Sequence, residues 1–220
     1  MMLVIDKPAG LAVHASGRDN LHLGQFLDSL SFGLPNKPEL AHRLDRDTSG
    51  CLILGRHRQA LKRLGALFAH GRIEKRYWAV VAGSLSSESG KIDSPLAKIG
   101  GRGNWRMKVD PQGQPSLTEW RLLGSHGGLS WLECRPLTGR THQIRVHLAS
   151  IGCPVLGDFI YGRGLAGMVS NPLHLHARWV SIPLNPKAPA VSVTAPVPEH
   201  MLVGLANCGW QGEISKQDGE

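Results

Sequence analysis

The four cysteines of this 220-residue chain, Cys51, Cys134, Cys153 and Cys208, form no C-x-x-C pair. That spacing excludes a zinc knuckle and offers no disulfide framework, so reduced, mostly buried thiols are expected. No apolar run approaches the ~20 residues of a membrane-spanning helix. Asp6 and Pro8 interrupt MMLVIDKPAG where a signal peptide would continue its apolar stretch, so a cytoplasmic protein away from membranes is expected. No G-x-G-x-x-G or P-loop string is present, which leaves no signature for a nucleotide cofactor. No Ser/Gly-rich linker or charge block divides the chain, and a single catalytic-sized domain over residues 1–214 is expected, with a frayed tail at 215–220. Acidic residues are also in deficit, 17 against 25 lysines and arginines, for a formal charge of +8. Such a surface favours a polyanionic partner, though net charge governs encounter and says nothing of chemistry.

What is present is concentrated in HRLDRDTSG, His42 to Gly50. Asp45 lies between Arg43 and Arg46 in a segment too polar for a core strand, and neighbouring cations favour its charged form. Asp47, Thr48, Ser49 and Gly50 are turn formers that can lift a side chain out of the fold. A generic Arg-x-Asp-Arg would be a solvated turn with a weak surface pair. Nine residues in this order are far less generic.

The periodicity around this motif predicts short strands broken by helices. Strands are expected at Leu3–Ile5, Cys51–Leu54, Tyr77–Val81, Thr118–Leu123, Leu129–Arg135, Leu173–Ile182 and Val191–Val193, with Gly124–Gly128 as a hairpin connection. Helices are expected at Leu21–Leu30, at His57–His70 with Arg58, Lys62 and Arg63 on a solvated face, and at Thr141–Ile151. In the last, Ile144, Leu148 and Ile151 form the apolar stripe and Gly152 the C-terminal cap. Residues 84–113 show little apolar periodicity. The fold class expected is α+β, a mixed, largely antiparallel sheet flanked by helices.

The densest polar string is LTGRTHQIRVHLASIGCPVLGDFIYG, Leu137 to Gly162, with Arg140 at a helix start and Arg145 within the helix. Arg145 shares a face with Thr141 and Ala149 beside the apolar stripe, so it can lie along the core boundary and meet a buried carboxylate, Asp45 being the natural partner. Glu74-Lys75-Arg76-Tyr77 opens a strand, where a tyrosine taken alone is a half-buried sheet residue. His174-x-His176 would share one face of a strand, as zinc ligands do, but no third ligand stands at a recognisable spacing; His142 and His147 are too loosely spaced to suggest a metal.

Taken together, these strings resemble the RluA family of pseudouridine synthases, in which Arg-Leu-Asp-x-x-Thr-Ser-Gly carries the essential aspartate. The resemblance extends through VIDKPAGL (Val4 to Leu11), Lys75-x-Tyr77, MKVDPQGQPSLTEW (Met107 to Trp120), Thr138 to Gly162, and LHAR with its proline-rich close (Leu175 to Pro198), which is most of the chain in the family's order. It differs in lacking the S4 RNA-binding domain that members often carry and the strand that usually precedes VIDKPAG.

The resemblance implies isomerisation of uridine in structured RNA, a ribosomal or transfer RNA stem-loop, by a monomer that needs no cofactor and no metal. Asp45 is then the catalytic aspartate, Tyr77 the residue packed against the uracil and a possible aid to proton transfer, and Arg145 the partner of Asp45. Arg43 becomes a candidate to fill the space left by the flipped nucleotide, and His42, Lys75, Arg140 and His142 candidate RNA contacts. Attack on ribose C1′, addition to uracil C6 and a glycal route all fit a carboxylate so placed.

Two other readings compete. Asp45-x-Asp47 resembles the D-x-D-x-T of magnesium-dependent aspartyl phosphatases, although Ala41-His42-Arg43-Leu44 is a poor buried strand and the fifth position is Ser49. A non-catalytic RNA-binding module would also suit the basic charge.

Overall fold

Cys51 to Leu54 lie in a strand buried along its whole length, and the sheet is built outward from it. The computed structural model describes residues 1–15, 21–101, 104–162 and 172–212. Its strands are β1 (Met2–Lys7), β2 (Glu39–Leu40), β3 (Ser49–Gly55), β4 (Glu74–Ala82), β5 (Ser89–Asp93), β6 (Leu96–Ile99), β7 (Arg106–Val109), β8 (Leu117–His126), β9 (Leu129–Pro136), β10 (Leu175–Ile182) and β11 (Val191–Thr194). The α-helices are α1 (Arg58–Ala69), α2 (Gln143–Ser150) and α3 (Leu202–Asn207).

Nine strands form one sheet in the order β1-β3-β10-β4-β9-β8-β5, with β11 added to β10 and β2 to β3, while β6 and β7 make a separate hairpin. Every pairing is antiparallel except that of β3 with β10. The expected α+β class and mixed, mostly antiparallel sheet are therefore present.

Period-two alternation distributes the core. Leu52 and Leu54 of β3 pack with Leu23 and Leu27, whereas Cys51 and Ile53 pack with Leu64 of α1. Ala79 and Val81 of β4 likewise pack with Ile144 and Leu148 of α2, and Val80 packs with Leu205 of α3. Each fully buried Leu or Ile contributes about 1.5–3 kcal/mol. Tyr77 touches both the α2 core and the core around Leu23 and Leu27, so it stands where the two meet.

Four expectations change. Leu21–Leu30 is two 3-10 turns, Leu23–Gln25 and Leu27–Leu30, because Gly24 and the short polar side chains of Asp28 and Ser29 favour turns over a continuous helix. Residues 84–113 hold β5, β6 and β7, whose apolar positions are too few to show a period. The hairpin connection shrinks to Gly127-Gly128, since β8 runs on to His126 past a bulge between Leu122 and Gly124. Ile151 leaves the stripe and is exposed, whereas all six residues from Gln143 to Leu148 are buried. The expected tail, 215–220, lies outside the described residues.

The parallel pairing of β3 with β10 is a close one. It pairs Ser49 with His176 and Gly50 with Ala177, and at Gly50 φ is +104°. A Cβ there would lie 2.4 Å from the Ala177 carbonyl oxygen and 2.8 Å from its nitrogen, so only glycine allows the strands to meet. Gly50→Ala combines a disfavoured backbone with overlap against another backbone and should cost about 3 kcal/mol or more, lowering Tm by about 6–12 °C in a chain of this length. Thermal denaturation followed by circular dichroism reads this directly; an unchanged Tm would show that the strands separate without cost.

Candidate active site

The chain leading into β3 runs as a loop up to the close β3–β10 contact at Gly50, and Asp45 lies on it. Thr48 N–H closes this turn onto the Asp45 carbonyl at 3.2 Å. Beneath it the Lys7 side chain is completely buried, its ammonium donating to the carbonyls of Pro8 and Leu11 at 2.8 Å and of Arg46 at 2.9 Å. Burial pulls Lys7 down to about 8, against the attraction of Asp47, Asp45 and Asp6. It therefore remains an ammonium at neutral pH, with its three protons on three acceptors. A second backbone bond, Gly10 N–H to the Arg46 carbonyl at 3.0 Å, fastens the same turn.

Two histidines complete the support. His42 Nε2 accepts from the Ile53 N–H at 2.9 Å, and its ring lies 4.8 Å from that of Phe68. His176 Nδ1 is 2.9 Å from the Ser49 hydroxyl. Burial pulls His42 down to about 3 and His176 to about 4, so both are neutral in the fold.

The Asp45 side chain is 18% exposed and opens into a cavity of about 400 Å³ that Arg43, Lys75, Tyr77, Arg140, His142 and Arg145 also line. All eight residues singled out in the sequence, His42 among them, thus border one space. They border it differently. Arg43 and Arg140 stand at the exposed rim, with Arg140 Nε on the Pro115 carbonyl at 3.1 Å. Lys75 and Tyr77 project from alternate positions of β4, and burial lowers the Lys75 pKa. Burial, followed by the charges of Asp45 and Cys51, raises that of Tyr77 and keeps its phenol protonated.

Arg145 faces Asp45, its Nη1 3.9 Å from Oδ2, but its hydrogen bonds go elsewhere. Nε and Nη2 form a fork on Asp158, at 2.7 and 2.8 Å. Asp158 is wholly buried, and its Oδ1 also accepts the N–H groups of Ile160 and Tyr161 at 3.0 and 3.1 Å. Burial alone would lower the Arg145 pKa; the bonds and charge of Asp158 outweigh it and hold it above the ordinary value. The arginine is thus fixed by one carboxylate and presented to another.

His142 presents a second group to Asp45, with Nε2 4.0 Å from Oδ2, and adopts a left-handed backbone conformation, φ 53°. Its Nδ1 is 2.7 Å from the Tyr161 hydroxyl oxygen, which already accepts the Met107 N–H at 3.0 Å. Burial lowers the His142 pKa even though Asp45 opposes this, so one ring nitrogen is bare. A bare Nε2 facing a carboxylate would be repelled. The consistent arrangement has Tyr161 O–H donating to Nδ1 and the proton on Nε2, toward Asp45.

The sequence reading missed Lys7, Asp158 and Tyr161, although all three lie inside strings it had singled out. A lysine among apolar residues before Pro8, and an acid three residues before a tyrosine in GDFIYG, were the available signals. The His174-x-His176 pair is divided among separate partners: His174 Nδ1 is 2.8 Å from the Pro172 carbonyl oxygen, and its ring stands edge-on to His200.

A sheet of this topology with a loop-borne aspartate facing a fixed arginine defines a class, and comparison supplies its name. The profile of the RNA pseudouridylate synthase family matches residues 1–150. The chain belongs to the RluA family of RNA pseudouridine synthases. It is 41% identical over 199 residues to an uncharacterized RNA pseudouridine synthase of Zymomonas mobilis, covering 90% of each chain. Identity to the ribosomal large subunit pseudouridine synthase C of Vibrio cholerae is 39% over 163 residues, 73% of this chain and 50% of that one. The chain likewise spans 64% of the length of a relative from Chloroflexus aurantiacus, an uncharacterized RNA pseudouridine synthase, at 39% identity. Among solved structures, human RNA pseudouridylate synthase domain containing 4 superposes with a TM-score of 0.78 at 25% identity, covering 94% of this chain and 89% of that one.

Two predictions follow from this geometry. Asp158→Asn removes the charge that holds Arg145 while keeping an acceptor for the two N–H groups, and should destabilise the fold by about 3 kcal/mol, the lower end for breaking a buried ion pair. Urea unfolding checks it, and a loss below 1 kcal/mol would mean that Asp45 takes over the pairing. The second concerns acid. In the unfolded chain His42 and His176 titrate near 6.5. Below that pH the unfolded state binds protons that the folded state refuses, so stability, full above 6.5, falls as pH falls toward 4, by about 1 kcal/mol per pH unit for each histidine. Guanidinium midpoints between pH 7.5 and 4.5 should show this slope; a flat profile would mean that both rings protonate in place.

Proposed function

We propose that this chain converts uridine to pseudouridine in structured RNA, with Asp45 acting at the bond between ribose and base. The observation that carries the reading is the Asp45 carboxylate at the wall of a cavity, facing the fixed Arg145 guanidinium and the His142 imidazole with Tyr77 beside them. The reaction breaks the C1′–N1 bond, turns the base and forms a C1′–C5 bond. N1 gains a proton and C5 loses one, so no atom is gained or lost overall and no cofactor is called for. A carboxylate in this position serves attack on C1′, addition to C6 or removal of a ribose proton alike.

The neighbouring residues have distinct roles in this reading. Tyr77 offers an aromatic face to the uracil, and stacking of that kind returns ~1–3 kcal/mol toward the cost of flipping the nucleotide out of its helix. Arg145 orients the carboxylate and offsets its charge. His142, with its proton on Nε2, adds a second donor on the same side. Arg43, Lys75 and Arg140 supply positive charge along the cavity for the phosphates, with Arg43 free at the rim to take the space the flipped base leaves. His42 acts from behind by fixing β3 through Ile53.

The aspartyl phosphatase reading loses its geometry. It needs Asp45 and Asp47 in one site, whereas Asp47 lies beside Arg46 at 3.6 Å and borders a different cavity with Asp6 and Ser49. The RNA taken as substrate is ribosomal in this proposal, supported by relatives named as large-subunit synthases. Deleting the gene should remove pseudouridine from defined ribosomal positions, read by carbodiimide mapping, and a plasmid copy should restore it. The Asp45→Asn copy should not restore it, because an amide cannot act as the nucleophile, while RNA affinity stays within a few-fold. Restoration by Asp45→Asn would remove the assigned role, and an unaltered pseudouridine map in the deletion strain would favour a non-catalytic RNA-binding module.

A further inference from the structure

The β6–β7 hairpin stands apart from the main sheet, yet it reaches the active site through one aromatic stack. Trp105, just before β7, lies nearly parallel to the His142 imidazole, with ring centroids 5.3 Å apart and planes inclined by 25°. The Lys98 ammonium of β6 sits 4.7 Å from the centre of the Trp105 ring. Beneath, His142 is tied to the Tyr161 hydroxyl, and Tyr161 to the Met107 N–H of the same hairpin. The hairpin is therefore already positioned by its backbone. That leaves unexplained why a tryptophan, the largest apolar side chain, remains 37% exposed there with an exposed lysine over it.

We propose that Trp105 and Lys98 form a second nucleotide subsite, which takes the base and phosphate next to the uridine being isomerised; the inference rests on the isomerase reading above. One imidazole ring lies between Trp105 and the Asp45 carboxylate. That spacing suits the neighbour of the target base, since the target itself must reach Asp45. An indole face binds any base by stacking, which is tolerant of sequence, and an ammonium on a flexible stem pairs with a phosphate as a point charge. The energetic order favours exchange. An exposed cation over an aromatic ring is worth about 0.5–1 kcal/mol, and stacking of a base about 1–3 kcal/mol. A base would displace the ammonium from the ring, and the freed ammonium would meet the phosphate that the base brings with it.

This subsite contributes binding and no chemistry, so its loss falls on KM rather than kcat. The probe is total RNA from the deletion strain carrying uridine tritiated at C5, and the readout is tritium released to water when C1′ bonds to C5. Trp105→Ala should raise KM roughly 5- to 150-fold, as expected for one lost stack, and Trp105→Phe should raise it far less. Trp105→Leu keeps apolar cover over His142 without an aromatic face and should behave like the alanine variant. Lys98→Ala should raise KM and flatten its dependence on salt, because one phosphate contact is gone.

The outcomes separate cleanly. A wild-type protein that releases no tritium removes the isomerase reading and this one with it. Release by the wild type, with KM unchanged in the alanine and leucine variants, removes the subsite alone. A leucine variant that matches phenylalanine would show that Trp105 only covers the hairpin, and a fall in kcat at constant KM would place it in the chemistry instead.

Discussion

The burial of one guanidinium constrains everything around it. Arg145 is 2% exposed, and a cation removed from water at that depth is tolerable only if its hydrogen bonds and charge are met on the spot. Asp158 meets them with a fork, the geometry that matches a planar guanidinium best, and in doing so ties helix α2 to the turn after Gly157. The same carboxylate accepts the N–H groups of Ile160 and Tyr161, so the backbone that carries the Tyr161 ring is fastened to the ion pair. Tyr161 then fixes the tautomer of His142. Arg145 and His142 both face Asp45, and both owe their aim to the 158–161 turn. A single buried pair thus supports the two groups that face the Asp45 carboxylate.

A second constraint acts from the other side. Strands β3 and β10 meet in a parallel contact that at Gly50 admits nothing larger than glycine, and the residues just before β3 run outside the sheet. They become the loop that carries Asp45. The Lys7 ammonium, sealed beneath, holds this loop by the Arg46 carbonyl, and an internal cation bound to three carbonyls resists displacement because each lost bond would leave a buried group unsatisfied. The loop is therefore rigid for backbone reasons, while its side chain is free to face the cavity. That is the arrangement a positioned carboxylate needs.

Much of this was legible in the sequence because it is written in local patterns. The strand around Cys51 to Leu54, the helix now bounded by Arg58 and Ala69, the paired strands β8 and β9 and the Gly152 cap are all signalled by short-range periodicity or by a single special residue. Helix α2 shows where that stops. Its Gln143 and His147 carry no local sign of burial and Arg145 only that of a core boundary, yet each is buried with a partner in another element: Gln143 on Leu117 and Thr118, Arg145 on Asp158, His147 on Thr118 and Ser94. Polarity predicts exposure only when no partner exists, and partners brought together by the fold leave no local period. For the same reason Arg145 could be matched to Asp45 from the sequence while its stronger partner, thirteen residues downstream, passed unnoticed.

The state of Tyr77 limits how the proposed reaction can move its last proton. Burial, with the nearby charge of Asp45, raises the phenol's pKa, so in the proposed reaction the ring offers the base a hydrogen-bond donor and an aromatic face, with no tyrosinate available near neutral pH. The proton that leaves C5 when the new bond is complete must then go to a group that can receive it. Arg145 carries its proton already, and His142 has its only basic nitrogen occupied by the Tyr161 hydroxyl. Of the two carboxylates that border the cavity, Glu74 is exposed at the start of β4, whereas Asp45 faces Arg145 and His142, so in the proposed reaction the proton falls to Asp45. In the proposed reaction a carboxylate released from the sugar or the base can accept that proton and return it to solvent, so one aspartate would serve both the first step and the last.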